Sequence, residues 1–198
     1  MATNEDTPIT ARPRTGSYTV PGLSLEDGTK VAELLQDRLN ALNDLALTLK
    51  HVHWNVVGPN FQAVHEMLDP HTDEVRGYVD ETAERIATLG TSPLGTPGEI
   101  VKNRSWSDYS LERATTNEHL GALNVVYDGL IAEHRDAQRA VADVDPVTED
   151  LLIGQISGLE LFQWFIRAHL QGSEGELSTG GTRSEDTAAR RAAEAAGE

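Results

Sequence analysis

Five side chains of metal-ligand type stand out by their spacing: His53, His65, Asp69, Asp80 and Glu84. His65 and Asp69 are four residues apart, and so are Asp80 and Glu84. On one helix all four project within a stripe of roughly 100°. At a rise of about 1.5 Å per residue, His65 and Glu84 lie about 28 Å apart along that helix. One ion cannot touch both ends. Either these are two unrelated pairs, or two copies of the helix cross antiparallel and bring His65 and Asp69 of one chain to Asp80 and Glu84 of another. The second reading describes an oxygen-rich, nitrogen-poor site shared between subunits. Carboxylate with imidazole suits borderline divalent metals such as iron, manganese and zinc.

Taken singly, the parts are ordinary. An Asp-x-x-x-Glu pair usually marks a solvated helix face, and His-x-x-x-Asp is common surface chemistry. His65-Glu66 begins like the zinc-protease pattern His-Glu-x-x-His, but Asp69 stands where the second histidine belongs. No histidine has a glutamate three residues before it, so the Glu-x-x-His arrangement of the common di-iron bundles is excluded.

The elements that must position these groups are helical. Ser24 with Asp27 reads as an N-cap with an acidic third position. Val31, Leu34, Leu35, Leu42, Leu45, Leu49, Val52 and Val56 then recur at spacings of mainly three and four, up to Gly58-Pro59. A second helix is expected from about Phe61 to Leu89, stopped by Gly90, with Pro70 as a kink or local break. A Pro- and Gly-rich connection, carrying Trp106, leads to a third helix from roughly Leu111 to Val141. Asp145-Pro146 separates it from a fourth, about Val147 to Leu170. Four long helices and no strand pattern predict an all-α four-helix bundle, with room for a short helix in the long connection between helices two and three. The expected organisation is a flexible N-terminal arm (1–22), the bundle (23–172) and a disordered C-terminal tail (173–198) rich in Gly, Ser, Thr, Ala and charge.

Bulk composition narrows the function. The net charge of −16 argues against general affinity for nucleic acid or anionic membrane and suits attraction of cations. The chain has no cysteine, hence no disulfide, thiolate site or cysteine nucleophile. Residues 1–20 show no apolar h-region, so no signal peptide is expected and the cytoplasm is the default.

The segment His53-Trp54-Asn55-Val56-Val57-Gly58-Pro59-Asn60-Phe61-Gln62-Ala63-Val64-His65-Glu66-Met67-Leu68-Asp69, followed by Asp80-Glu81-Thr82-Ala83-Glu84-Arg85, resembles the Dps family, the DNA-binding proteins from starved cells or mini-ferritins. Phe162-Gln163-Trp164-Phe165 is similar to the family near the end of helix four. The likeness spans about residues 20–172. It implies a ferritin-like bundle assembled as a hollow dodecamer. It also implies ferroxidase sites at two-fold interfaces, with His53, His65 and Asp69 from one subunit and Asp80 and Glu84 from its partner. Fe²⁺ would be oxidised there by hydrogen peroxide or oxygen and stored as ferric mineral, limiting oxidative damage. A second iron fits such a site, and zinc is a substitute. Asp69 and Glu84 would favour Fe³⁺, His53 and His65 would bind weakly when protonated, and Asp80 would accept a hydrogen bond or reach a second iron through water. Trp54, beside a ligand, is placed to supply an electron to a strongly oxidising intermediate, but a core or interface residue is the simpler reading. The family's pore carboxylates fall near the start of helix four, which selects Asp150, with Asp145 and Glu149 as alternatives; an acidic helix N-terminus complementing the macrodipole is the other reading.

DNA binding, also implied by the resemblance and placing the protein at the nucleoid, needs clustered positive charge. Arg12 and Arg14 stand against Glu5 and Asp6. Arg183, Arg190 and Arg191 stand against Glu174, Glu176, Glu185, Asp186, Glu194 and Glu198, and the only lysines are Lys30, Lys50 and Lys102. Weak or absent DNA binding at physiological salt is expected.

Overall fold

The computed structural model describes residues 16–198; most of the expected N-terminal arm lies outside them. Four long helices form the bundle: α1 (Leu25–Asn55), α2 (Phe61–Thr88), α4 (Thr116–Val141) and α5 (Pro146–Leu170). Helix α1 packs along α2, and α4 along α5. The long connection carries a short helix α3 (Pro97–Asn103). None of the helices in the described residues is long and apolar enough to cross a membrane.

Helix α1 begins at the Ser24 cap, whose hydroxyl oxygen accepts from the Asp27 amide. Leu42, Leu45, Leu49 and Val52 on its inner face, all buried, meet Val64, Leu68, Val75, Leu123, Leu130, Leu159 and Ile166, while Leu35 and Leu39 nearer its start pack with Ile86, Leu89, Val141 and Leu152. Pro70 sits inside α2 without ending it. Two short strands, β1 (Val56–Val57) and β2 (Ala114–Thr115), pair in parallel and tie the end of α1 to the start of α4.

Helix α4 starts five residues later than the expected Leu111. Thr115 and Glu118 form a reciprocal capping box that fixes Thr116 as the first helical residue. The Leu111 carbonyl, outside any helix, lies 2.8 Å from His51 Nε2 and accepts its proton.

The expected disordered tail is corrected by a sixth helix, α6 (Glu185–Ala196), lying on α4. Its Ala188, Ala189 and Ala192 are buried. Alanine has the strongest intrinsic helix preference, and here it also gives a smooth stripe for close approach. Gly121 on α4 accepts that stripe: a Cβ there would fall 2.6 Å from the Ala188 carbonyl oxygen and 2.9 Å from the Ala192 methyl. Polar anchors complete the docking. Glu185 accepts from the Ser110 amide at 2.8 Å, and buried Thr179 accepts from Asn124 at 3.2 Å. Replacing Gly121 by Val is therefore expected to lift α6 off α4, at a cost of about 1–3 kcal/mol typical of overpacking. Trypsin should then cut at Arg190 and Arg191 much faster while the four-helix bundle stays intact. Unchanged cleavage would mean that α6 adapts to the extra methyl groups.

Candidate metal centre

The turn between α1 and α2 decides how the candidate ligands meet. Gly58 has φ +108°, a conformation that L side chains rarely adopt, and it lets the chain reverse within a few residues. The reversal places the last turn of α1, with His53, against the first turns of α2, with His65 and Asp69. The two imidazoles stack at 3.7 Å between ring centroids and 22° between planes. His53 Nδ1 lies 3.0 Å from the His65 carbonyl oxygen, and His65 Nδ1 lies 2.9 Å from the His53 carbonyl oxygen.

These reciprocal bonds fix the chemistry of both rings. A carbonyl oxygen only accepts, so each Nδ1 carries a proton and donates it. In each neutral ring, Nε2 then holds the free lone pair. Backbone carbonyls on the far nitrogen are the usual way in which a metal-binding histidine is oriented. His53 is buried and His65 half-buried.

Asp69 joins this pair. Its Oδ1 lies 3.3 Å from His53 Nδ1 and 2.8 Å from Lys50 Nζ. The Lys50 hydrogen bond, helped by the neighbouring imidazoles, holds the Asp69 carboxyl below the usual carboxylate range. Lys50 was not singled out in the sequence. Its position three residues before His53 on α1 was the available signal, because that spacing puts both on one face.

Asp80 and Glu84 are exposed near the other end of α2, away from this cluster along the same helix axis. Among the described residues of the single chain, no three His, Asp or Glu side chains converge closely enough to hold a metal ion. One chain thus places His53 against both His65 and Asp69 without closing a site around an ion, and leaves Asp80 and Glu84 exposed. Asp150 is exposed too, and lines a surface cleft of about 390 Å³ together with Glu81, Glu84, Arg85 and Thr88. The alternatives differ from it. Asp145 is buried in an ion pair with Arg85, and Glu149 accepts from Gln138 at 2.9 Å.

The surroundings of the histidine cluster are apolar yet open. Trp54 is 72% exposed, Leu47 62% and Phe61 41%. Phe61 lies against the His65 ring at 4.9 Å, and Lys50 Nζ sits 6.0 Å from the Trp54 ring. Large exposed apolar groups beside polar ligand-type residues mark a contact surface. The donor set, two imidazole nitrogens with carboxylate oxygen, fits a borderline divalent metal such as Fe²⁺.

Comparison with known proteins places this architecture. Residues 32–174 match the profile of the ferritin-like domain. The chain is similar to a DNA protection during starvation protein from Mycolicibacterium smegmatis, 56% identical over 176 residues that cover 89% of this chain and 96% of that protein. It is also similar to the fine tangled pili major subunit of Haemophilus ducreyi, 50% identical over 164 residues that cover 83% of this chain and 87% of that one. Among solved structures, the tetragonal form of Mycobacterium smegmatis Dps superposes with a TM-score of 0.82 at 57% identity, covering 84% of this chain and 100% of that one. DpsA14 from Streptomyces coelicolor superposes with a TM-score of 0.83 at 55% identity, covering 85% and 100%. With this profile, these identities and this fold, the chain belongs to the Dps family of ferritin-like proteins.

Proposed function

We infer that the protein is a mini-ferritin that oxidises Fe²⁺ at sites shared between two subunits and stores the ferric product inside a closed shell. The observation that carries this reading is the reciprocal carbonyl clamp on His53 and His65, which ties up both Nδ1 atoms, leaves both Nε2 lone pairs free, and lies with the Asp69 carboxylate 3.3 Å from His53 Nδ1. The outward-facing Asp80 and Glu84 supply the missing oxygens once a second copy packs antiparallel on α2. The exposed Leu47, Trp54 and Phe61 give that contact its apolar surface. The assembly is a dodecamer acting in the cytoplasm.

Iron is the substrate here. Two Fe²⁺ each lose one electron, one hydrogen peroxide takes both with two protons, and two waters form. The chain's part is electrostatic. Asp69 with Asp80 and Glu84 of the partner subunit stabilises the trivalent product more than the divalent substrate, because anionic oxygen gains more from the higher charge. His53 and His65 add neutral nitrogen without further negative charge. The acidic cleft of Glu81, Glu84 and Asp150 attracts cations toward the site. DNA is protected by removal of Fe²⁺ and peroxide together rather than by tight coating of the duplex, in keeping with the net charge of −16.

The test is anaerobic addition of Fe²⁺ and hydrogen peroxide to the purified protein, with ferric absorbance followed beside an Asp80→Ala/Glu84→Ala variant. Fast oxidation lost in a variant that elutes as the same assembly supports the reading. Equal rates in both would overturn it.

Lys50 gives a second test. Its ammonium holds the carboxylate oxygen that a metal would use. Lys50→Met is expected to bind Zn²⁺, used as a redox-silent probe, several-fold more tightly in calorimetric titration. Weaker binding would mean that Lys50 orients Asp69 for the metal rather than competing with it.

A further inference from the structure

Behind the histidine cluster lies a second group of aromatic and titratable side chains that the iron site does not use. Tyr109, in the connection before α4, is half-buried against the core. Its Oη lies 3.0 Å from Nδ1 of His119, which is fully buried on the first turn of α4. The two rings are nearly parallel, 6.0 Å apart at 10°. The edge of His51 meets the Tyr109 ring at 5.9 Å and 70°. His51 stands two residues before His53 on the last turns of α1, with its Nε2 held by the Leu111 carbonyl. Tyr109 is therefore one aromatic contact and a short stretch of helix from a candidate iron ligand.

We propose that Tyr109 and His119 form a proton-coupled electron donor to the iron site. The inference rests on the ferroxidase reading given above. Hydrogen peroxide must take two electrons, and a site holding a single Fe²⁺ supplies only one. Tyr109 supplies the other. Its O–H bond breaks, the phenolic proton passes to His119 Nδ1, and the electron leaves through His51 toward the site. One peroxide thus takes one electron from Fe²⁺ and one from the phenol, and two protons from solvent complete two waters. A later Fe²⁺ returns the electron, and His119 returns the proton.

The surroundings fit a transfer of this kind. Burial, with Glu185 nearby, holds the Tyr109 phenol well above its ordinary pKa, so loss of the proton to water before oxidation is closed off. Burial also pulls His119 down to about 4, against the Asn55 and Glu112 carbonyls that favour its protonated form. His119 is then neutral near pH 7 and can accept from the phenol. It holds the proton unfavourably and gives it back on reduction. Tyr127 is also fully buried, but its hydroxyl has no hydrogen-bond partner and so no base to take its proton.

The experiment is freeze-quench electron paramagnetic resonance on the assembled protein given less than one Fe²⁺ per chain and excess hydrogen peroxide. Wild type, Tyr109→Phe and His119→Gln are compared. The expected result is a tyrosyl signal in wild type that is lost in Tyr109→Phe and reduced in His119→Gln, with oxidation at saturating Fe²⁺ unchanged in both. A wild type that oxidises iron without a tyrosyl signal, or a signal that survives Tyr109→Phe, overturns the proposal. Lower thermal stability of the variants with an unaltered signal would show that the pair only anchors the connection, and overturns it as well. If wild type does not oxidise Fe²⁺ at all, the ferroxidase reading has failed instead. Flash oxidation with a ruthenium photosensitiser then examines the pair alone. A tyrosyl signal lost in Tyr109→Phe and formed more slowly in His119→Gln sustains the pair, and identical signals in all three reject it.

Discussion

Two inactive variants, mixed in one assembly, are expected to recover iron oxidation. The first carries His65→Ala and Asp69→Ala; the second carries Asp80→Ala and Glu84→Ala. Each alone should oxidise Fe²⁺ no faster than background, because every site in it lacks one half of the ligands. In a two-fold pair of unlike chains, one site combines both damaged halves. The other combines the intact histidine end of the second variant with the intact carboxylate end of the first. Random mixing of equal amounts should then restore about a quarter of the wild-type sites, since half of the pairs are mixed and each has one whole site of two. The geometry behind this is rigid. One uninterrupted α2 carries His65, Asp69, Asp80 and Glu84, and its ends are too far apart for one ion. Co-expression with different affinity tags, selection for both, and the peroxide assay make the measurement. Mixed assemblies as inactive as the parents would mean that the two pairs never share a metal.

The same spacing explains why so much of the site was legible. Helical periodicity fixes which side chains share a face, and the His-x-x-x-Asp and Asp-x-x-x-Glu pairs need nothing else to be aligned. What periodicity cannot give is the partner of each group. The stacking of His53 on His65 depends on the tight reversal at Gly58, and the carbonyl clamp depends on that stacking. Lys50 carries no signal of its own in the sequence, because a lysine on a helix face is ordinary; the fold is what brings it to Asp69. The tail was misread because alanine contributes little apolar area, so its stripe at Ala188, Ala189 and Ala192 resembled low-complexity sequence. The surface that receives it, at Gly121, lies far away in the chain. The start of α4 was misplaced for a different reason. The Thr115-x-x-Glu118 capping signal in the sequence marks the observed start, and Leu111 precedes it in a segment with no apolar run.

The largest expected loss of stability lies where α2 meets the start of α5. Arg85, next to Glu84, donates from Nη2 to Asp145 at 2.6 Å and from Nε to the Thr148 hydroxyl at 2.9 Å. Thr148 in turn donates to the same Asp145 oxygen at 2.5 Å. Both charged side chains are nearly buried, 13% and 6% exposed. Arg85→Met would remove the guanidinium and leave the carboxylate buried with only the Thr148 hydroxyl and amide, a change that costs about 3–5 kcal/mol in buried pairs. Arg85→Met/Asp145→Leu should regain part of that loss, because no unpaired charge remains. The dependence on pH follows from the forces on Asp145. Burial raises its pKa, but the Thr148 and Arg85 hydrogen bonds together outweigh burial and leave it lowered. In wild type this carboxylate therefore contributes stability above its unfolded pKa, about 3.9, and loses it as pH falls through the lower folded value. Without Arg85 two of the lowering influences are gone while burial remains, so the folded pKa moves up. The deficit of Arg85→Met relative to wild type should then be largest near neutral pH and shrink under mild acid. Thermal unfolding at fixed subunit concentration, at both pH values, measures it. A deficit that is small, or that grows in acid, would mean that the carboxylate finds water or another cation. The pair fixes the end of α2 that carries Glu84, so the same variant should also slow iron oxidation before it unfolds. That loss would connect the packing of α2 on α5 to the carboxylates offered to the partner subunit.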